Sequence, residues 1–139
     1  MKKVLFFICV LLAICCKVNA ENREDKALEY EEKEILLLER VTMSETSIES
    51  YECKVATAVT ILKRAKMYNK SIEAVIYEPW QYSIADNGKP TEEVKKAVQD
   101  AILTESNYPD NMIYFRADRY HSFGSPYKQI GGHYFSLEE

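Results

Sequence analysis

Two carboxylates, Glu45 and Glu49, lie four residues apart where a helix-compatible segment gives way to a strongly apolar one. Side chains at this spacing share one helix face or lie on either side of a helix break. A carboxylic acid held beside apolar helices can keep its proton near neutral pH and donate it to a leaving oxygen. We therefore predict that Glu45 is a catalytic acid. Glu49 would orient Glu45 or contact the substrate, but it equally suits the first turn of the next helix.

A second group of residues has side chains suited to binding sugars. Sugar recognition requires aromatic faces together with amides and hydroxyls, and one short segment supplies Tyr77, Trp80, Gln81, Tyr82 and Ser83. We predict that this segment lines a substrate groove. The competing interpretation is that Tyr77 and Tyr82 are core aromatics whose hydroxyls reach the surface.

The chain offers little for metal or thiol chemistry. It has two histidines, His121 and His133, and Cys53 is the single cysteine after Cys16. Without paired cysteines this count argues against a zinc site, so we predict neither a metal nor a cofactor. Cys53 is interpreted as a small buried residue rather than a nucleophile. His133 either faces the substrate or is a structural residue of a strand.

The segment after Glu49 is the strongest helix prediction. Within 50–67 apolar residues recur at three- and four-residue spacing, most basic residues lie opposite them, and Ser50 suits an N-cap. The apolar stripe is Val55, Ala58, Val59, Leu62 and Ala65, and the residues mostly opposite it are Lys54, Lys63, Arg64 and Lys66.

Shorter patterns predict the remaining elements. A helix is expected around 35–41 and another opens at Pro90–Glu93, while 72–76 suits either a short helix or a strand. Strands are expected at 112–115 and 127–136. The predicted fold class is therefore α+β, with about three helices around a small irregular β element.

The first twenty residues are predicted to be a secretory signal. A basic start precedes the apolar run Val4–Cys16, which is too short to span a bilayer, and Val18–Ala20 suits cleavage after Ala20. The alternatives are a lipoprotein signal at Cys15 or Cys16 and a retained membrane anchor. We expect the product to be secreted, or to lie in the periplasm or cell wall.

Removal of that signal would leave a single acidic domain. Residues 21–34 form a charged leader, and 35–139 form the predicted catalytic domain. Losing Lys2, Lys3 and Lys17 takes the formal net charge from −4 to −7. This net negative charge argues against a nucleic-acid partner. An anionic polymer would have to be held by local contacts.

Four blocks of the chain share their order and spacing with one known family. They are 44–64, 74–83 (AVIYEPWQYS), 112–115 and 130–135 (IGGHYF). Together they resemble the SleB-type cell wall hydrolases, the family of the spore-cortex-lytic enzymes. The resemblance covers about residues 37–135.

The resemblance implies a lysozyme-like fold and a lytic transglycosylase that cuts the bond between muramic acid and glucosamine in peptidoglycan. Glu45 would be the single acid, protonating the glycosidic oxygen and then deprotonating the muramoyl 6-hydroxyl to give a 1,6-anhydro product. The glycan strand would be the partner, with no metal, and a regulatory protein partner is left open. The implied substrate-binding residues are Glu49, Tyr77, Gln81, Tyr82, Ser83, Tyr114 and His133.

Two alternatives follow from the residues themselves. Ser47 and Ile48 replace an arginine and a glycine of the family pattern, which would suit a catalytically degenerate protein that binds peptidoglycan or a partner hydrolase. A muramidase would need a second carboxylate across the cleft. Asp86 is the candidate, although its Asp-Asn-Gly context also favours a turn.

Overall fold

The structure, a computed structural model, describes residues 30–84 and 89–139. The predicted signal sequence, most of the charged leader and the predicted turn containing Asp86 lie outside the described residues. The described helices are α1 (Glu32–Glu45), α2 (Tyr51–Tyr68), α3 (Ile72–Ile76) and α4 (Glu92–Thr104), with a 3₁₀ turn at Glu105–Asn107; the strands are β1 (Met112–Ala117), β2 (Ser125–Ile130) and β3 (His133–Leu137). This arrangement confirms the predicted α+β class.

Helix α2 is the centre of the fold. Its start is the predicted one, because the Ser50 hydroxyl accepts the backbone N–H of Cys53 at 3.3 Å. It ends at Asn69, which adopts the left-handed conformation typical of a helix C-terminus. Helices α1, α3 and α4 and strand β1 all contact α2, and the side chains of Ile61 and Leu62 are fully buried among them.

Three of the basic residues that the pattern places opposite the apolar stripe of α2 are nevertheless buried. Lys54, Lys63 and Arg64 are only 4%, 5% and 8% exposed. Their aliphatic stems cover apolar surface, and their charged ends reach acceptors at the edge of the core. Lys63 binds Asp110 at 2.6 Å and Arg64 binds Glu78 at 3.0 Å. A one-sided pattern in the sequence could not show that neighbours would enclose α2 on all sides.

Helix α1 is longer than the predicted segment 35–41. It begins at Glu32, so the end of the predicted charged leader is helical, and it continues to Glu45. Thr46 terminates it, since both its N–H and its hydroxyl bond to the carbonyl of Thr42. The candidate acid is consequently the last residue of a helix.

The sheet differs from the prediction at its C-terminal end. Residues 127–136 were expected to form one strand, but Gly131 and Gly132 divide them into a hairpin of β2 and β3. Gly131 has φ of +58°, a conformation that glycine adopts without strain and that two-residue hairpin turns require. The strand order is β1-β3-β2, and both pairings are antiparallel.

The remaining helices begin at residues that cap them. Thr91 caps α4 by accepting the N–H of Val94 at 3.3 Å, in agreement with the predicted start. The ambiguous segment 72–76 is a helix, capped by Ser71 and by a carboxylate oxygen of Glu34. Across 30–84 and 89–139, every helix is too short or too polar to cross a membrane.

Candidate active site

Glu45 lies at the edge of an open depression. Its side chain is half-buried at the end of α1, and its Oε1 accepts the backbone N–H of Ser83 at 2.6 Å. The depression has a volume of about 380 Å³, and the described residues that line it are Glu45, Trp80, Gln81, Tyr82 and Ser83. The structure therefore brings the predicted acid next to the predicted sugar-binding segment.

The surroundings of Glu45 favour its protonated form. Burial raises the pKa of the carboxyl group, and the hydrogen bond from the Ser83 amide opposes this effect. The carboxyl end of a helix carries partial negative charge, which also disfavours a carboxylate there. The last turn of α1, which the structure describes in full, has no basic residue to offset this. Glu45 is thus suited to donating a proton.

A second hollow continues from the depression. It has a volume of about 240 Å³, and Trp80, Gln81 and Tyr82 line both spaces. The other described residues around it are Arg64, Ile113, Tyr114, Phe115, His121 and Phe123. We call the depression and this hollow together the groove. Its walls combine aromatic faces with hydrogen-bonding groups, as the binding of a carbohydrate requires.

Trp80 projects from the rim of the groove. Its side chain is 100% exposed, and its φ of +64° lies in the left-handed region that a bulky residue rarely adopts. Strained backbone of this kind is concentrated at ligand-binding segments. An exposed indole beside a candidate acid could stack on a sugar ring.

Tyr82 forms the floor of the groove between its two parts. The side chain is half-buried, with its ring centroid 6.0 Å from that of Phe115. Burial raises the pKa of the Tyr82 hydroxyl, so this group remains a hydrogen-bond donor at physiological pH.

Tyr114 and Arg64 form the far wall of the groove. The Tyr114 hydroxyl donates to the carboxylate of Glu138. The guanidinium carbon of Arg64 lies 5.7 Å from the Tyr114 ring centroid and 5.4 Å from that of Tyr68, which are cation–π distances. The helical pattern placed Arg64 opposite the apolar stripe, so its contribution to the groove was missed. Its position at the end of the 44–64 block was the available signal.

Three of the predicted substrate-binding residues do not line the groove. Tyr77 is 60% exposed and borders a different hollow beside Leu37 and Arg40 of α1. Glu49 and His133 lie together at the start of α2 and the start of β3. Their positions do not support direct contact with a ligand in the groove.

Glu49 connects α2 to the β2–β3 hairpin. Its Oε2 accepts the backbone N–H of Gly132 at 2.8 Å. A Cβ atom on Gly131 would lie 2.2 Å from Oε2, and one on Gly132 would lie 2.6 Å from Oε1. The two glycines therefore allow the carboxylate to approach the hairpin backbone closely.

His133 is a buried residue of this junction. Its Nδ1 lies 2.9 Å from Sγ of Cys53, and its ring meets that of Phe115 edge-on with centroids 5.2 Å apart. Burial lowers the pKa of His133, opposed by the charge of Glu49. Burial, aided by Glu49, raises the pKa of the Cys53 thiol to about 11. A thiol in this state is a poor nucleophile, in line with the interpretation of Cys53 as a small buried residue.

Comparisons with known proteins agree with this architecture. The family model described as Cell Wall Hydrolase matches residues 48–136. The chain is 32% identical over 116 residues to the spore cortex-lytic enzyme of Bacillus subtilis (strain 168). The match covers 76% of this chain and 38% of that protein, so the chain spans well under half the length of this relative.

Two solved structures have a similar fold. The catalytic domain of the Bacillus cereus SleB protein is 29% identical, with a TM-score of 0.63, and the match covers 77% of this chain and 91% of that one. The catalytic domain of the germination-specific lytic transglycosylase SleB from Bacillus anthracis is 27% identical, with a TM-score of 0.64 and coverage of 77% and 96%. The chain thus shares the fold of these catalytic domains, which confirms the predicted lysozyme-like fold.

Proposed function

The chain belongs to the cell wall hydrolase family, and from that premise we propose that it is a peptidoglycan lytic transglycosylase. The bond cleaved would be that between muramic acid and glucosamine. The observation that carries the proposal is the half-buried Glu45 carboxyl at the edge of the groove, held by the Ser83 amide. The similarity to the germination-specific lytic transglycosylase supports the same reaction.

In the first step Glu45 acts as the general acid. Since burial raises its pKa, a larger fraction of the carboxyl group is protonated near neutral pH than for an exposed glutamate. The Ser83 amide occupies Oε1, so the proton resides on Oε2. We propose that Oε2 donates this proton to the glycosidic oxygen as the bond to C1 of the muramoyl residue breaks.

In the second step the resulting carboxylate acts as the base. It removes the proton of the muramoyl 6-hydroxyl, whose oxygen attacks C1 and forms the 1,6-anhydro ring. The donated proton stays on the oxygen of the leaving sugar, the 6-hydroxyl proton restores the acid form of Glu45, and no water is consumed. This route needs one carboxyl group, whereas a muramidase uses two. Among the described residues, Glu45 is the one carboxylate that borders the depression; Asp86 lies outside them.

The groove would hold the glycan strand on either side of the cleaved bond. Trp80 and Gln81 are exposed at the junction of its two parts, where a stacked ring and an amide can fix a sugar. We propose that Trp80, Gln81, Tyr82, Ser83 and Tyr114 contact the substrate. Glu49 and His133 would act indirectly, by fixing the hairpin against α2.

The decisive experiment is digestion of purified peptidoglycan, cortex material included, by the full chain. Mass spectrometry should find 1,6-anhydro ends with the native protein and none above background with Glu45→Gln, while circular dichroism shows that the variant is folded. The matched control is Glu52→Gln, an exposed acid at the start of α2 whose loss should not change the products. Reducing ends carrying an added water would identify a muramidase instead. Binding without cleavage by the native protein would identify a degenerate, non-catalytic member.

Export is a further part of the proposal. We propose that residues 1–20 direct secretion and are removed after Ala20, leaving 35–139 as the catalytic domain behind a short leader. An exported substrate polymer requires the enzyme to reach the same side of the membrane. N-terminal sequencing of protein recovered from the culture medium or cell wall should begin at Glu21, and a product that retains the apolar run would contradict this.

A further inference from the structure

Three potential metal ligands meet at the junction between α2 and the hairpin. Glu49 precedes α2, Cys53 lies in its first turn, and His133 begins β3. A carboxylate oxygen, Sγ and a ring nitrogen from these residues all lie within 4.8 Å of one another. We propose that Glu49, Cys53 and His133 form a site for a divalent transition metal, with Zn²⁺ as the ion that suits it best.

The donor set is the basis for choosing zinc. A thiolate, an imidazole and a carboxylate are the three side-chain ligands that zinc uses in proteins. Hard cations such as Mg²⁺ and Ca²⁺ prefer oxygen ligands alone. The mixed sulfur, nitrogen and oxygen set therefore selects a borderline-soft ion.

The distances require only small adjustments. Sγ of Cys53 and Nδ1 of His133 are 2.9 Å apart, whereas bond lengths of about 2.3 Å to sulfur and about 2.0 Å to nitrogen separate two tetrahedral ligand atoms by about 3.5 Å. The pair would open slightly and the Glu49 carboxylate would move inward.

The hairpin holds the carboxylate close to the other two ligands. The backbone N–H of Gly132 holds one oxygen of Glu49 at 2.8 Å, leaving its other oxygen as the ligand. Hydrogen bonds of this kind to a ligating carboxylate orient metal sites in general. A Cβ on either glycine would displace the Glu49 carboxylate from this position.

The site would be closed on one side and open on the other. Cys53 and His133 are 0% and 5% exposed, whereas Glu49 is half-buried and Gly132 is exposed. Three protein ligands with a water on the exposed side would complete a tetrahedral zinc. On binding, the Cys53 thiol releases its proton to solvent and the ion gives up water, with no change of oxidation state.

The expected consequence is a cross-link between distant parts of the chain. Cys53 and His133 are 80 residues apart in sequence, so a bound ion would tie the start of α2 to the hairpin. The segment 46–50, between Glu45 and α2, would be held at one end. The prediction that no metal binds was based on the number of histidines, and that count cannot show which residues meet in space.

The test uses the full chain with Cys9, Cys15 and Cys16 changed to serine, so that Cys53 is its one thiol. Titration with Co²⁺ should give a saturable thiolate-to-cobalt absorption band with one ion per chain, and Zn²⁺ should raise the thermal midpoint. A chelator should reverse both effects. Absence of the thiolate band would overturn the proposal.

Three variants locate the ion. Cys53→Ser should abolish the band and the thermal shift. Glu49→Gln should weaken metal binding roughly 10-fold or more. Its amide oxygen can still accept the N–H of Gly132, so this variant tests the site even if Cys53→Ser does not fold. Glu52→Gln should bind as tightly as the parent. An affinity for Zn²⁺ that is unchanged in Glu49→Gln would place the ion elsewhere and refute the assignment.

Discussion

The backbone N–H of Ser83 donates a 2.6 Å hydrogen bond to Oε1 of Glu45, joining residues that are 38 positions apart. The bond fixes the carboxyl plane relative to the groove. It occupies Oε1 and leaves Oε2 as the proposed proton donor. It also opposes the rise in pKa that burial causes. The same contact therefore orients the acid and limits how strongly the protein holds its proton.

Glu45→Gln should stabilise the protein at neutral pH while it removes activity. Burial holds the pKa of Glu45 above its value in the unfolded chain, so the ionised carboxylate costs folding free energy at any pH above both values. Glutamine removes that cost and can still accept from Ser83. Thermal unfolding should show a higher midpoint for the variant at neutral pH.

The gain in stability should shrink as the pH falls through the raised pKa of folded Glu45, and it should vanish below the pKa of the unfolded chain, where the carboxyl group is protonated in both states. Glu52→Gln is the control: it removes an exposed ion pair with Lys128, which should leave the midpoint nearly unchanged. A lower midpoint for Glu45→Gln at neutral pH would show that its carboxylate is well solvated.

Glu78→Gln should have the opposite effect on stability, lowering the free energy of unfolding at neutral pH. Hydrogen bonds from Lys70 and then Arg64, opposed by burial, hold the pKa of Glu78 below its ordinary value. This contribution is present above the unfolded-state pKa and is lost as the pH falls through the folded-state pKa. Urea unfolding at neutral pH should show a loss of roughly 1–3 kcal/mol.

The free energies of unfolding of the native protein and of Glu78→Gln should converge at acid pH, because protonation of Glu78 weakens its pairs with Lys70 and Arg64. The free energy of unfolding therefore needs to be measured at several pH values. A deficit that stays constant down to acid pH would mean that packing, rather than charge, is what Glu78 supplies.

Trp80→Ala should weaken substrate binding without unfolding the protein. The indole is fully exposed, so its loss opens no cavity, while the loss of one ring stack of about 1 kcal/mol corresponds to about a fivefold rise in KM. Tyr77→Ala is the matched control, because Tyr77 is an exposed tyrosine outside the groove. An equal rise in KM for both variants would contradict the assignment of the groove.

Trp80→Gly distinguishes the effect of losing the indole ring from the effect of relieving backbone strain at residue 80. The left-handed φ of residue 80 costs a side-chain-bearing residue about 1–2 kcal/mol, more than the entropy cost of about 0.5–1 kcal/mol that glycine brings. The glycine variant should thus be at least as stable as the alanine variant, with the same KM. The reverse order in thermal midpoint would show that residue 80 has another conformation in solution.

Gly132→Ala should displace the Glu49 carboxylate. The new Cβ would lie 2.6 Å from Oε1, and the partly exposed hydrogen bond that is lost should cost about 1 kcal/mol. In a Glu49→Ala background the same change should cost little, because nothing remains to be displaced. Denaturant unfolding of the four forms measures this coupling, and additive effects would show that Glu49 does not restrain the hairpin.

Local sequence determined much of the secondary structure. Ser50 caps α2 as predicted, and α4 begins within the predicted segment 90–93, since a helix start depends on residues within one turn of it. The candidate acid Glu45 and the segment 80–83 were also proposed from residue type, order and the family resemblance. Only the tertiary structure shows that the acid and this segment border the same depression.

Only the tertiary structure decided the remaining relationships. Lys63 and Arg64 are buried because neighbours enclose α2 on every side, Tyr77 faces away from the groove, and His133 meets Cys53. Periodicity and capping act over a few residues, whereas these contacts depend on how whole elements cross and pair. The sequence by itself therefore named an acid and its helices, and the three-dimensional packing decided which side chains face the groove and which fix the hairpin against α2.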